Sequence, residues 1–296
     1  MSSGSSMRIR SSEYKEIAKR MRAIQEQQKR VVANMRKIKY KVAILSSKGG
    51  VGKSFVTVSL AAALAVKGRR VGVFDADIHG PSVHKMVGLP TGLGLPARQD
   101  GTIVPIEVPP GLKVASIGLL LPDDETPVIW RGSLKTSAIR ELLAYLDWGE
   151  LDYLLIDLPP GTGDEQLTIA QIIPQLTGFV LVTIPSEVSK AVVKKAAAFA
   201  RRLNVPVIGV VENMSYFECP DGSRHYIFGR GAAREIAEEF NIPFLGEIPI
   251  DPRIREANDR GKIFFLEYPD SKAAKAFLEI AERVIGIIEG QGEGGE

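Results

Sequence analysis

Lys48, Lys53 and Ser54 lie close together in "SSKGGVGKS" (46–54), directly after the apolar run "KVAIL". The stretch approaches the phosphate-binding loop G-x-x-x-x-G-K-[ST], in which glycines let backbone N–H groups turn inward on phosphate oxygens. Ser47 stands where the first glycine is expected, and Lys48 adds a second lysine. The backbone of Ser47, Lys48, Gly49, Gly50, Val51 and Gly52 would cradle the phosphates, helped by the positive end of a helix opening at Ser54. Lys53 would reach the β- and γ-phosphates, and the Ser54 hydroxyl would ligate Mg²⁺.

Two carboxylate clusters extend this chemistry, "FDADIHGPS" (74–82) and "LLIDLPPGTGD" (154–164). An aspartate at the end of an apolar strand beside a phosphate loop holds Mg²⁺ or its waters, and Asp157 fits that role. Phosphoryl transfer asks mainly for positioning and charge neutralisation, so a second carboxylate that orients the attacking water completes the set. Asp77 is the candidate for that task, with Asp75, nearer its strand, read as structural or metal-linked. Gly161 and Gly163 would let the second loop move with the γ-phosphate. Asp164 closes that cluster. His79 and His84 have no triad or metal spacing around them and read as structural or surface residues.

These residues need a scaffold that brings strand ends together. Apolar, β-rich runs at 41–46, 70–76, 151–158, 178–185, 205–214 and 243–250 alternate with helical patterns at 54–67, 133–147, 165–174, 187–203, 231–240 and 271–289. Alternation of this kind predicts an α/β fold, a mostly parallel sheet with helices on both faces, whose ligands bind at the carboxyl ends of the strands. The Gly/Pro-rich segment 88–129 contains "DGTIVPIEVPPGLKVASIG", expected as a hairpin or two short edge strands.

The division expected is a basic N-terminal arm over 1–38, helical from about residue 12, one ATPase domain over 39–287, and a disordered Gly/Glu tail over 288–296. Residues 8–41 carry a net charge of +9 and the rest of the chain −6, within a total of +3. Ile17, Met21, Ile24, Val31, Met35 and Ile38 recur at helical spacing, with Gln28 as a polar interruption, which predicts docking of the arm on the domain. No apolar stretch is long enough for a membrane span, and the polar start shows no secretory signal, so a cytoplasmic protein is expected. One cysteine, Cys219, excludes an intramolecular disulfide.

The "KGGVGKS" loop resembles the deviant phosphate loop of the ParA/MinD/nitrogenase-iron-protein class of P-loop NTPases. That resemblance implies an ATP-bound homodimer in which Lys48 reaches the partner's nucleotide. A cation delivered in trans acts like an arginine finger, worth roughly 10³–10⁵ in rate. Further stretches, "DADIHGPSV" (75–83), "TPVIWRGSLKTSAIRELL" (126–143), "DYLLIDLPPGTGDEQLT" (152–168) and "GVVENMSYFECP" (209–220), are similar to the Mrp/ApbC branch of iron–sulfur cluster carrier ATPases. Membership would make Lys48, Lys53 and Asp77 the catalytic set. It would place Asn213 on the adenine, with "PIDPRI" (249–254) flanking the base. Trp130 and Arg131 would lie near the dimer interface or the nucleotide, or serve packing and surface alone.

Carriers of this branch hold a [4Fe–4S] cluster with two C-P-x-C cysteines from each subunit. Here Cys219 is followed by Gly222 at the second cysteine position. Two subunits then supply two thiolates where four are usual. Three readings stay open: His225 joins the two Cys219 thiolates, an external thiol completes the set, or the cluster is lost. The expected function is an ATP-hydrolysing homodimer that passes iron–sulfur clusters to apo-proteins. The alternative is a ParA/MinD-like ATPase switch without a cluster, acting on a partner or on DNA. An acidic C-terminus argues against MinD-like membrane attachment, and only the N-terminal arm could serve nucleic acid, which is not expected as a partner.

Overall fold

The structure is a computed structural model that describes residues 11–46, 48–125 and 132–290. Its elements run α1 (Ser11–Met35), β1 (Ile38–Ser46), α2 (Lys53–Val66), β2 (Val71–Asp75), α3 (Val83–Met86), β3 (Ile106–Val108) and β4 (Leu112–Ser116). After a 3₁₀ turn (Ile117–Leu120) come α4 (Gly132–Tyr145), β5 (Leu151–Asp157), α5 (Asp164–Ile172), β6 (Gly178–Thr183), α6 (Glu187–Leu203) and β7 (Val207–Glu212). The chain continues through β8 (Phe217–Glu218), β9 (Arg224–His225), α7 (Ala232–Phe240), β10 (Phe244–Glu247), α8 (Pro252–Asp259), α9 (Phe264–Glu267) and α10 (Lys272–Gly290).

Eight strands form one sheet in the order β10-β7-β6-β1-β5-β2-β4-β3, parallel except for the edge pair β3–β4. The order matters for the site, because β1 lies beside β5 and β5 beside β2. That puts the phosphate loop and both carboxylate clusters at neighbouring strand ends, with Asp75 paired in register to Asp157. Strand alternation divides the core into two layers. Val42 and Ile44 face the layer built with α2 and α10, while Ala43 and Leu45 face the layer built with α1, α4, α5, α6 and α7. Both faces are covered, which is why these strands read as unbroken apolar runs.

The six expected helices form with ends moved by at most two residues, and the segment 100–118 supplies the edge strands β3 and β4. Three differences stand out. Residues 288–290, expected in the tail, belong to α10: Ile288 is buried, and Glu289 pairs with both Arg69 nitrogens and the Tyr153 hydroxyl. Among the described residues the arm docks by its C-terminal half; the Ile17 side chain lies outside them. Val31 and Met35 enter the core and Asn34 donates to the Leu143 and Ala144 carbonyls, whereas Met21 and Ile24 are 57% and 47% exposed. The "PIDPRI" segment, read as a loop, opens α8. Asp251 caps it by accepting from the Arg253 N–H, and Pro252 occupies its first turn, where a missing N–H costs nothing.

Candidate functional site

Between Lys48 and Lys53 the chain makes a turn that calls for glycine at two positions. Gly50 and Gly52 both have φ +79°, the left-handed region that costs residues with a Cβ. A Cβ on Gly49 or Gly50 would point into open space, but one on Gly52 would collide with the Asn213 amide. The loop is therefore open on its outer side and braced from below. Val51 is buried, and its carbonyl accepts from Asn213 Nδ2 at 2.9 Å. Asn213, expected at the adenine, is itself buried here and spends its amide N–H on the loop. Ser47 lies outside the described residues, as do Trp130 and Arg131. Lys48 is half-buried, and its carbonyl accepts from the Ser46 hydroxyl at 3.1 Å.

Lys53 opens α2 and its side chain is 6% exposed. Its Nζ lies 2.7 Å from Asp157 Oδ1, off the line of a hydrogen bond, and no other acceptor reaches it among the described residues. A buried ammonium so incompletely satisfied is costly, and phosphate oxygens would complete it. Asp157, the last residue of β5, is fully buried. Ser54 Oγ donates to its Oδ2 at 2.6 Å, and Thr57 Oγ1 to its Oδ1 at 2.8 Å. A hydroxyl and a carboxylate oxygen side by side are the hard oxygen donors Mg²⁺ takes. The residues present thus fit a magnesium–nucleotide: the loop and Lys53 for phosphate, Ser54 and Asp157 for the ion. Thr57 was not anticipated; its place one helical turn after Lys53, on the same face, was the available signal.

The carboxylates after β2 take different parts. Asp75 is fully buried and accepts from the backbone N–H groups of Asp77, Ser82 and Val83 and from Ser116 Oγ, at 2.9–3.2 Å. It shapes the loop, as its nearness to the strand suggested. Burial, then the neighbouring Asp157 carboxylate, pushes its pKa up to about 7. Asp77 is 7% exposed and accepts from the His79 and Gly80 N–H groups, both at 3.2 Å; burial raises its pKa too. His84 is buried between Ser116 and Thr91, and burial lowers its pKa to about 4. The imidazole is neutral at pH 7. His79 is half exposed and meets Lys135 and Glu165.

The loop after β5 is held by Gln166. Its Nε2 donates to the Pro159 and Pro160 carbonyls, and its Oε1 accepts from the Gly163 N–H. Gly161, with φ +108°, turns the chain between them.

Cys219 sits where the β8–β9 hairpin turns, half-buried. Its N–H donates to the Ser223 carbonyl and its own carbonyl accepts from the Gly222 N–H, both at 2.9 Å. Gly222 has φ +84°, so the position where a second cysteine was expected is the left-handed residue of a tight turn. His225 pairs across the hairpin with Phe217, not with Cys219, and is exposed. Among the described residues no three His, Cys, Asp or Glu side chains gather to hold a metal ion. An open cleft of about 790 Å³ borders Cys219, lined also by Pro220, Ile250, Asp251, Tyr268 and Lys272.

Residues 37–285 match the family model described as ParA: NUBPL iron-transfer P-loop NTPase. A protein of Saccharolobus solfataricus named iron–sulfur cluster carrier protein is 56% identical over 88% of this chain and 88% of its own. One of the same name from Methanocaldococcus jannaschii is 52% identical over 90% and 91%. Among solved structures, a nucleotide-binding protein of Archaeoglobus fulgidus in complex with ADP superposes with a TM-score of 0.71 at 42% identity, covering 80% of this chain and 92% of that one. The cell division ATPase MinD of Pyrococcus furiosus gives 0.60 at 25% identity, over 83% and 98%. The chain belongs to the ParA/NUBPL iron-transfer family of P-loop NTPases.

Proposed function

We propose that this protein is an ATP-hydrolysing homodimer that carries iron–sulfur clusters and delivers them to apo-proteins. The observation that carries the reading is a phosphate site in which Lys53, Ser54 and Asp157 meet, on a chain that leaves β7 for a separate two-stranded hairpin bearing Cys219. Strand β7 leads through Asn213, which braces the phosphate loop, to Cys219 six residues later. The same short segment therefore touches the nucleotide loop and bears the cargo ligand.

Bound Mg²⁺ would neutralise phosphate charge and polarise the γ-phosphoryl group. Gly49, Gly50, Val51 and Gly52 hold the phosphates by backbone N–H groups, with Lys53 as their buried counter-charge. Ser54 and Asp157 hold the ion, and Asp77 orients the attacking water. Lys48 acts across the dimer, so that hydrolysis depends on association. Asn213 keeps the loop in register beneath the nucleotide. The cluster is cargo. Each subunit offers Cys219 alone, and the remaining ligands come from outside the two thiolates, which suits transient loading more than permanent residence.

Anaerobic reconstitution with iron and sulfide tests the reading. About four irons per dimer are expected for the natural protein and fewer than one for Cys219→Ala. Equal iron in both would remove Cys219 from the cargo site and favour a nucleotide switch without a cluster.

A further inference from the structure

Three charged or basic side chains from three separate elements meet beside the phosphate site. Lys135, one turn into α4, contacts His79 Nε2 and lies 3.7 Å from Glu165 Oε2; His79 Nε2 is itself 3.6 Å from that oxygen. The Lys135 side chain is 12% exposed. His79 belongs to the loop after β2 and Glu165 to the first turn of α5, immediately after the loop that follows β5. Those two loops carry the residues assigned to water positioning and to the γ-phosphate.

We infer that Lys135 is a positioning residue for hydrolysis, a clamp that fixes these two loops relative to each other. The lever is short. Lys135 pins the imidazole of His79, and the backbone N–H of the same His79 donates to Asp77 Oδ1 at 3.2 Å. A shift of the imidazole therefore reaches the Asp77 carboxylate through one residue. On the other side, Glu165 Oε1 is buried without a hydrogen-bond donor among the described residues. A carboxylate with one shielded, unsatisfied oxygen, on a side chain 28% exposed, favours a nearby cation. Lys135 places its ammonium 3.7 Å from the other oxygen of that carboxylate. Its ammonium meets His79 directly and faces Glu165 as an ion pair.

The inference rests on the reading that the chain hydrolyses ATP, and two measurements separate the two. In the first, ATP affinity and turnover are compared for the natural protein, Lys135→Met, Lys135→Arg and His79→Gln. Lys135→Met should leave the Kd for ATP within about twofold and lower kcat by roughly 10- to 100-fold, the cost of a carboxylate displaced by about an ångström. Lys135→Arg, which keeps the charge and donors for both partners, should recover most of that loss. His79→Gln, at a half-exposed position, should lower kcat in the same direction, and combining it with Lys135→Met should add little. Unchanged kcat in Lys135→Met, or a loss confined to ATP affinity, overturns the clamp.

The second measurement is hydrogen exchange on the nucleotide-free protein. Amides of 76–82 and 159–165 should exchange faster together in Lys135→Met, and unchanged protection in either loop overturns the clamp. If the natural protein binds ATP without hydrolysing it, the ATPase reading fails, while the exchange result still decides whether Lys135 ties the loops.

Discussion

Lys53 and Lys48 show how two lysines in one loop take different work. Lys53 is buried against Asp157 with one imperfect partner, so its replacement removes a buried cation at the start of α2. Lys53→Ala should abolish nucleotide binding, with affinity for ATP down by at least 100-fold in a calorimetric titration. A normal affinity would contradict the phosphate site. Lys48 is half-buried with its side chain outside the core. Lys48→Ala should bind ATP within a few-fold of the natural protein yet lose turnover by the roughly 10³–10⁵ a trans cation supplies. Unchanged turnover would refute that role. The glycines and lysines of this loop were legible in the sequence, because spacing along one strand–helix turn fixes them. Thr57, Gln166 and Lys135 were not, since what matters about each is a partner 6 to 100 residues away: Thr57 on Asp157, Gln166 on Pro160, Lys135 on His79. Asn213 shows the converse. Its place at the end of β7 was clear from the sequence, while its commitment to the Val51 carbonyl depends on how the loop folds over it.

At the scale of elements, α1 divides at about Gln28, whose amide donates to the Ile172 carbonyl. Beyond that point one face of the helix enters the core: Val31 is 0% and Met35 1% exposed, and Lys41 donates to the Met35 and Ile38 carbonyls. Burial lowers the pKa of Lys41, which sits inside the protein although it belongs by sequence to the basic stretch. Before Gln28, Met21 and Ile24 face outward. Met35→Ala should cost about 2–5 kcal/mol in a denaturant titration, as deletions in packed cores do, whereas Met21→Ala should stay within about 0.5 kcal/mol. Similar costs at both positions would mean that the whole helix docks. The periodicity predicted a docked stripe along the entire helix because spacing reports which residues share a face, not how far the neighbouring surface extends. The short pieces α3, α8 and α9 were missed for a related reason: four to eight residues give too little period to read. Asp251-Pro252 was a legible start, an N-cap followed by proline, that the segment's expected place at the base obscured.

For the molecule as a whole, strand order converts three distant motifs into one site, and the exit of β7 links that site to Cys219. Alternating apolar runs and helical patterns were enough to predict the parallel sheet, but not that β1 sits between β6 and β5 with β2 next along. That order decides which carboxylates approach the phosphate loop. At the hairpin, Gly222 supplies the left-handed turn residue, a conformation that disfavours a cysteine there. Among the described residues no helix is long and apolar enough to cross a membrane. The central claim is that Cys219 is the point of exchange for a cluster. It is tested most directly by loading the natural protein and Cys219→Ala anaerobically, adding each with ATP to an apo-enzyme that needs a [4Fe–4S] cluster, and following the return of that enzyme's activity. The natural protein should restore activity at least tenfold faster than Cys219→Ala. Equal rates would show that the cluster passes without this thiol and would contradict the account.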